Sequence, residues 1–302
     1  MADTSDGHTA RQRTVGIIGL GIMGGAMARN LVAGGWRVIG YDSDANAIAT
    51  ARRNGIETVD DAAAVAASAS DIITSLPSAE AVMTTAQTIA ASAPAPVVVL
   101  EMSTLSLDDK EQVASLLAAK HHIALDCPLS GTGAQAQSKD LVVYASGNSR
   151  EIERLGPLFL GLGRQYFNLG AYGNGTKMKF VANLLVAIHN VASAEAMVLG
   201  MKAGLAPQQI VEVIAAGAGT SRVFELRAPL MAENRYQPAS MRCAIWQKDM
   251  QVIGDFAAKV DCPTPLFKAT VPIYSAGLAR GFGADDTASV CAVLEGMAGI
   301  RR

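Results

Sequence analysis

The stretch Gly19-Leu20-Gly21-Ile22-Met23-Gly24 constrains the fold of this chain more than any other. It follows the apolar run Val15–Ile18 directly and opens a segment with helical spacing. Gly19 permits a tight turn, Gly21 lets a pyrophosphate approach the backbone, and Gly24 allows the helix to pack closely on the strand. The first helical turn presents N–H groups that have no intrahelical partner and therefore favour anionic phosphate. Ile22 and Met23 join the three glycines as expected cofactor-binding positions. Alone, a GxGxxG is a weak signal in a chain with 29 glycines. Here Asp42 follows the strand-like run Val38–Tyr41, roughly 20 residues on, where a carboxylate can bond an adenosine ribose. The competing reading, a glycine-rich turn in an unrelated α/β domain, is outweighed by the combined fingerprint. A carboxylate at Asp42 accepts from both ribose hydroxyls and repels a 2′-phosphate, so NAD is expected as cofactor and NADP is less favoured. Arg52 and Arg53 read as an exposed helix end rather than a phosphate clamp.

Short apolar runs continue at Asp71–Ser75, Val97–Leu100, Ile123–Asp126, Leu141–Ala145 and Tyr166–Leu169, separated by alanine-rich stretches with helical spacing. Strands alternating with helices imply βαβ crossovers and a mostly parallel sheet. Beyond Gly175 the β-branched runs stop. A long apolar segment extends to about Ala203, another opens at Ala206-Pro207, and further helical stretches cover roughly 243–260, 265–280 and 286–298. The expected architecture is α/β, a doubly wound Rossmann-type parallel sheet followed by an all-helical C-terminal domain. The divisions are a polar disordered tail over 1–12, a dinucleotide-binding domain over 13–170 and a helical substrate and dimerisation domain over 171–302.

Composition excludes several classes. The formal charge is −2, from 25 Lys plus Arg against 27 Asp plus Glu, which gives no electrostatic reason to expect a nucleic acid or an anionic membrane surface. Half the residues are hydrophobic and 17% are charged, which argues against disorder. Cys127, Cys243, Cys262 and Cys291 form no CxxC pair, and His8, His121, His122 and His189 form no spaced ligand set, so buried reduced thiols and no metal site are expected. The apolar segment Phe180–Ala203 is interrupted by Asn183, His189, Asn190 and Glu195, and reads as a helix buried in protein rather than a membrane span. The opening residues lack the apolar stretch of a signal peptide, and a cytoplasmic location is expected.

The run from Gly19 to Leu31, Gly-Leu-Gly-Ile-Met-Gly-Gly-Ala-Met-Ala-Arg-Asn-Leu, resembles the opening signature of the β-hydroxyacid dehydrogenases, a family that includes 3-hydroxyisobutyrate dehydrogenase, tartronate semialdehyde reductase and, more distantly, 6-phosphogluconate dehydrogenase. Three more stretches match in the family's order. Asp126-Cys-Pro-Leu-Ser-Gly131 resembles the substrate-binding motif, and the stretch from Gly170 to Asn183 resembles the catalytic motif. Trp246-Gln-Lys248-Asp249 resembles the late Lys-Asp motif. The resemblance implies that Lys179 is catalytic with Asn183 beside it. Residues at i and i+4 share a helix face, so the spacing supports this independently. Lys177 points elsewhere. Taken without the family, a lysine near a helix start is more often a surface residue.

The resemblance also implies that Ser130 and Gly131 hold a substrate carboxylate, that Leu76, Pro77, Thr104 and Lys248 contact the cofactor, and that chains associate through the helical domain as a homodimer or homotetramer. Thr132 stands where the family usually has a second glycine, so its side chain would narrow the pocket or add a hydroxyl contact. Lys139 replaces another usual glycine, at an expected solvent-facing turn. Lys248 has a competing reading as a salt-bridge partner of Asp249 or another neighbour. Asn190, on the 179–183–186–190 stripe, is either a pocket wall or a helix-packing amide; His189 reads as an interior group. The expected activity is hydride transfer between a nicotinamide and a small 3-hydroxy acid bound between the domains. The acid is of the 3-hydroxyisobutyrate, tartronate semialdehyde/glycerate or threonate type. The helical half resembles threonate dehydrogenase-like members through residues 195–200 and 216–221, which favours a polyhydroxylated acid. Two rivals are an imine reductase-like NAD(P)H enzyme, against which Lys179 argues, and a non-catalytic dinucleotide-binding protein.

Overall fold

The structure is a computed structural model that describes residues 13–302; the tail expected over 1–12 lies outside the described residues. The chain divides into two compact units. One runs up to Ser103 and resumes over Asp108–Gly175; the other comprises Thr104–Leu107 and Thr176–Arg302.

In chain order the first unit begins β1 (Thr14–Ile18), α1 (Ile22–Ala33), β2 (Arg37–Tyr41), α2 (Ala45–Arg53), β3 (Glu57–Thr58), α3 (Ala62–Ser68), β4 (Asp71–Thr74) and α4 (Ala79–Ser92). It continues with β5 (Val98–Glu101), α5 (Leu107–Ala118), β6 (Ile123–Asp126), β7 (Leu129–Ser130), α6 (Gly133–Gln137), β8 (Val142–Ala145), α7 (Ser149–Arg154), α8 (Gly156–Leu162) and β9 (Gln165–Asn168). Six strands form one sheet in the order β3-β2-β1-β4-β5-β6, and every neighbouring pair is parallel. The order reverses between β1 and β4, and in a doubly wound sheet a ligand binds at that switch, beyond the carboxyl ends of the strands. All four residues of β4 and of β5 are buried, which explains why their runs lack polar alternation. Side-chain caps start several helices: Asp44, Asp61 and Ser78 accept from Asn46, Ala64 and Ala81 N–H groups at the heads of α2, α3 and α4.

Two apolar runs do not extend this sheet. β8 and β9 pair in parallel with each other, β7 pairs antiparallel with β8, and the three make a separate small sheet. An isolated bridge between Asp126 and Ser146 ties the end of β6 to the end of β8. β3 and β7 have two residues each, too few to register as apolar runs in the sequence.

The second unit is helical: α9 (Asn174–Lys202), α10 (Pro207–Ala215), α11 (Arg222–Ala232), α12 (Cys243–Lys259), α13 (Pro265–Ala279) and α14 (Val290–Met297). α10 and α13 carry proline in their first turn, where its missing N–H costs nothing. α9 is long and apolar enough to cross a membrane by length and composition. In the structure, its Phe180, Ala187, Ala194 and Met197 join Phe224, Met231, Trp246, Ile253, Phe267 and Tyr274 in the core of this unit. Cys127, Cys243 and Cys291 are buried, whereas Cys262 is exposed, contrary to the expectation of buried thiols throughout.

Candidate active site

At the β1–α1 turn each glycine has a distinct reason. Gly19 has φ +95°, and a Cβ there would lie 2.2 Å from the Ser75 carbonyl oxygen. At Gly24 a Cβ would fall 1.8 Å from the Gly19 carbonyl oxygen, so its constraint is the turn itself more than helix-on-strand packing. Gly21, the N-cap of α1, has nothing within 4 Å of where a Cβ would stand. Its backbone therefore borders open space, with the exposed Ile22, the half-buried Met23 and the N–H groups of the first turn beside it. That open cradle fits a dinucleotide's phosphates.

Asp42 serves the same turn. Its Oδ2 accepts from Leu20 N–H at 2.6 Å and its Oδ1 from Asp44 N–H at 2.8 Å. A carboxylate offers about four lone-pair sites, so both oxygens can still accept from a ribose. At the ends of β4 and β5, Leu76 N–H donates to Ser103 Oγ at 2.9 Å. Leu76 and Thr104 are half-buried and Pro77 is exposed.

The β7–α6 connection carries Ser130, Gly131 and Thr132, all half-buried. Gly131 has φ +131°, and a Cβ there would meet Leu141 Cδ2 at 2.6 Å. Thr132 is the N-cap of α6, and its N–H donates to Gln135 Oε1 at 3.0 Å. The next residue packs against the dinucleotide turn: a Cβ at Gly133 would be 2.5 Å from Ile22 Cγ2. Within the first unit, then, the expected carboxylate-binding turn lies beside the start of α1. Lys139 is exposed with φ +60°, a left-handed position that explains why glycine would suit it.

In the helical unit, Lys179 and Asn183 are both buried on α9, and Lys177 is exposed. Asn183 Nδ2 donates to Asp249 Oδ2 at 3.2 Å. Burial lifts the Asp249 carboxyl above its ordinary range, and the charges of Lys179 and Lys248 and the Asn183 hydrogen bond oppose the lift. Asp249, which the sequence offers only as a salt-bridge partner for Lys248, is thus the partner of Asn183. Its signal was adjacency to Lys248, which is half-buried. Asn190 is fully buried and donates to Tyr274 Oη and the Thr287 carbonyl, both at 2.9 Å, so it is a packing amide and not a pocket wall.

Two family models match the chain. Residues 14–170 match the NAD-binding domain of 6-phosphogluconate dehydrogenase, and residues 173–294 match the NAD-binding region of NADP-dependent 3-hydroxyisobutyrate dehydrogenase. The chain is 30% identical over 294 residues to L-threonate dehydrogenase of Escherichia coli K12, covering 96% of this chain and 97% of that one. It is 29% identical over 289 residues to 2-(hydroxymethyl)glutarate dehydrogenase of Eubacterium barkeri, covering 95% and 96%. Among solved structures, Mycobacterium tuberculosis 3-hydroxyisobutyrate dehydrogenase with L-serine superposes with a TM-score of 0.85 at 28% identity, over 94% of this chain and 99% of that one. An imine reductase from Pseudomonas sp., at 18% identity and a TM-score of 0.61, shares the fold alone. The parallel sheet, its glycine turn and the matched models define an NAD(P)-dependent oxidoreductase. The chain belongs to the β-hydroxyacid dehydrogenase family.

Proposed function

We propose that the chain oxidises a small 3-hydroxy acid with NAD, with Lys179 as general acid/base. The observation that carries this reading is a buried Lys179 on the same helix face as Asn183, whose amide is anchored by Asp249. As the hydroxyl carbon loses hydride, Lys179 takes the hydroxyl proton at Nζ; in the reverse direction its ammonium returns a proton to the developing alkoxide. To act as base the amine must be neutral when substrate is bound. When bound, nicotinamide supplies the hydride acceptor. Asn183, fixed by Asp249, orients the substrate. Ser130 and Gly131 hold the substrate carboxylate through a hydroxyl and backbone N–H groups, with Thr132 beside them. Gly19, Gly21, Ile22, Met23, Gly24, Leu76, Pro77, Thr104 and Lys248 hold the cofactor.

NAD is preferred over NADP because Asp42 and, two residues on, Asp44 set negative charge where a 2′-phosphate would lie. The favoured acid is polyhydroxylated, of the threonate type, supported by the likeness to L-threonate dehydrogenase over nearly the whole chain. The same reading makes residues 13–170 the dinucleotide-binding domain and 171–302 the helical substrate and dimerisation domain, in a cytoplasmic homodimer or homotetramer. Support for association through the helical domain is that α9 leaves Val181, Leu185 and Leu199 exposed.

A screen of hydroxy acids with NAD and NADP, followed by absorbance of the reduced cofactor, tests the activity. Threonate or a close relative should turn over with NAD. Lys179→Ala should abolish turnover and leave NAD affinity nearly intact; a variant at wild-type rate would remove the catalytic assignment. Binding of NAD without turnover of any 3-hydroxy acid would favour a sensing protein instead.

A further inference from the structure

A lysine outside the expected site is fully buried in the first unit. Lys110 of α5 is fully buried, with Nζ 2.7 Å from Glu101 Oε2 and 2.8 Å from Asp126 Oδ1. Glu101 and Asp126 end β5 and β6 and stand directly opposite each other in the strand register. Two carboxylates in that position repel unless a cation lies between them. Burial pulls the Lys110 ammonium toward neutrality, but the two carboxylates outweigh that and hold its pKa above the ordinary lysine value.

Hydrogen bonds lead outward from this cluster on both sides. Ser103 N–H donates to Glu101 Oε1 at 2.8 Å, and Ser103 Oγ accepts from Leu76 N–H at 2.9 Å. On the other side Ser146 Oγ donates to Asp126 Oδ2 at 3.2 Å and accepts from Gly175 N–H at 2.9 Å. Tyr172 Oη donates to the Lys110 carbonyl at 3.0 Å. One chain of contacts therefore joins the loops after β4 and β5, the head of the Asp126–Gly131 motif, and Gly175, one helical turn before Lys179. Stability is a poor reason for such a cluster, because well-packed apolar residues often replace buried ion pairs at no loss.

We propose that Lys110 is a positioning residue: by bridging Glu101 and Asp126 it holds the ligand-facing loops after β4, β5 and β6 and the entry to α9 in one register. This rests on the dehydrogenase reading above and adds a role for a residue that touches neither substrate nor cofactor. It predicts that losing the bridge loosens those loops even where the fold survives.

The test uses Lys110→Met, which leaves two buried carboxylates unpaired, and the neutral near-isostere Glu101→Gln/Lys110→Met/Asp126→Asn, which removes all three charges. NAD affinity is measured by fluorescence titration, and melting temperature by circular dichroism. The single variant should melt lower. The triple variant should recover the wild-type melting temperature and still bind NAD about tenfold more weakly, a difference of about 1.4 kcal/mol. A triple variant with wild-type affinity would show that the cluster only supports the fold and would overturn the proposal. In the wild type, amide exchange over 74–77, 101–104 and 172–176 should slow together when NAD is added; slowing confined to 19–25 would equally overturn it. Failure of the wild type to bind either nucleotide would instead sink the dehydrogenase reading, which keeps the two claims separable.

Discussion

His122 shows how one side chain couples burial to pH. It is buried, and its Nδ1 accepts from Val97 N–H at 3.2 Å, which requires that nitrogen to be unprotonated. Burial lowers its pKa; a hydrogen bond to the Ala90 backbone opposes this and the charge of His121 adds to it. The folded state thus binds fewer protons here than the unfolded chain. The stability from neutral His122 is complete above its unfolded pKa of ~6.5 and is lost as pH falls through the lower folded value. Melting temperature should fall on acidification from pH 7 to 5, and His122→Asn, whose amide oxygen can replace Nδ1 as acceptor, should flatten that fall. An unchanged slope would remove His122 as the cause. The histidine count and spacing in the sequence argued only against metal ligation. This role depends on a strand start and a helix that lie apart in the chain.

Among elements, the β1–α1 turn was legible because glycine is demanded there by backbone geometry, which is local. Its tie to β2 was not. Asp42 reads from sequence as a ribose ligand, and the structure adds that the same carboxylate clamps Leu20 N–H and Asp44 N–H. Asp42→Ala therefore removes a turn bond common to both cofactors and ribose bonds that only NAD gains. NAD affinity should fall about tenfold or more, for loss of charge-assisted hydrogen bonds of ~1.5–3 kcal/mol, while NADP affinity falls less. Titration of the variant with both nucleotides checks this, and an unaltered preference would refute the ribose argument. Helices announced by an apolar face and a capping residue were likewise legible. α11 was not singled out, although Ser221 caps it by accepting from Phe224 N–H. α9 was legible as a long apolar segment beyond Gly175 carrying Lys179 and Asn183 on one face; its start at Asn174 is set by the contacts of Asn174 with the Leu169 carbonyl and of Gly175 with Ser146.

For the molecule as a whole, each unit has its own apolar core, and each holds one of the two tryptophans: Trp36 packs against the first core and Trp246 is buried in the second. Trp246→Phe and Trp36→Phe therefore leave a single reporter for each unit. In guanidinium titrations the two reporters should show separate midpoints. NAD at 100 times its dissociation constant should stabilise the Trp36 transition by about 2.7 kcal/mol. Coincident midpoints with and without NAD would show one cooperative unit.

Strand–helix alternation, the glycine turn, the composition shift near Gly175 and the Lys179–Asn183 spacing all rest on short-range periodicity and backbone sterics, so the amino-acid order alone determined them. The switch in strand order at β1 and β4 followed only by analogy. The separate β7-β8-β9 sheet, the pairing of Asn183 with Asp249 and the ion triad of Lys110 were decided by tertiary structure. Each joins residues far apart in the chain, and burial in a shared low-dielectric interior is what obliges their polar groups to find one another.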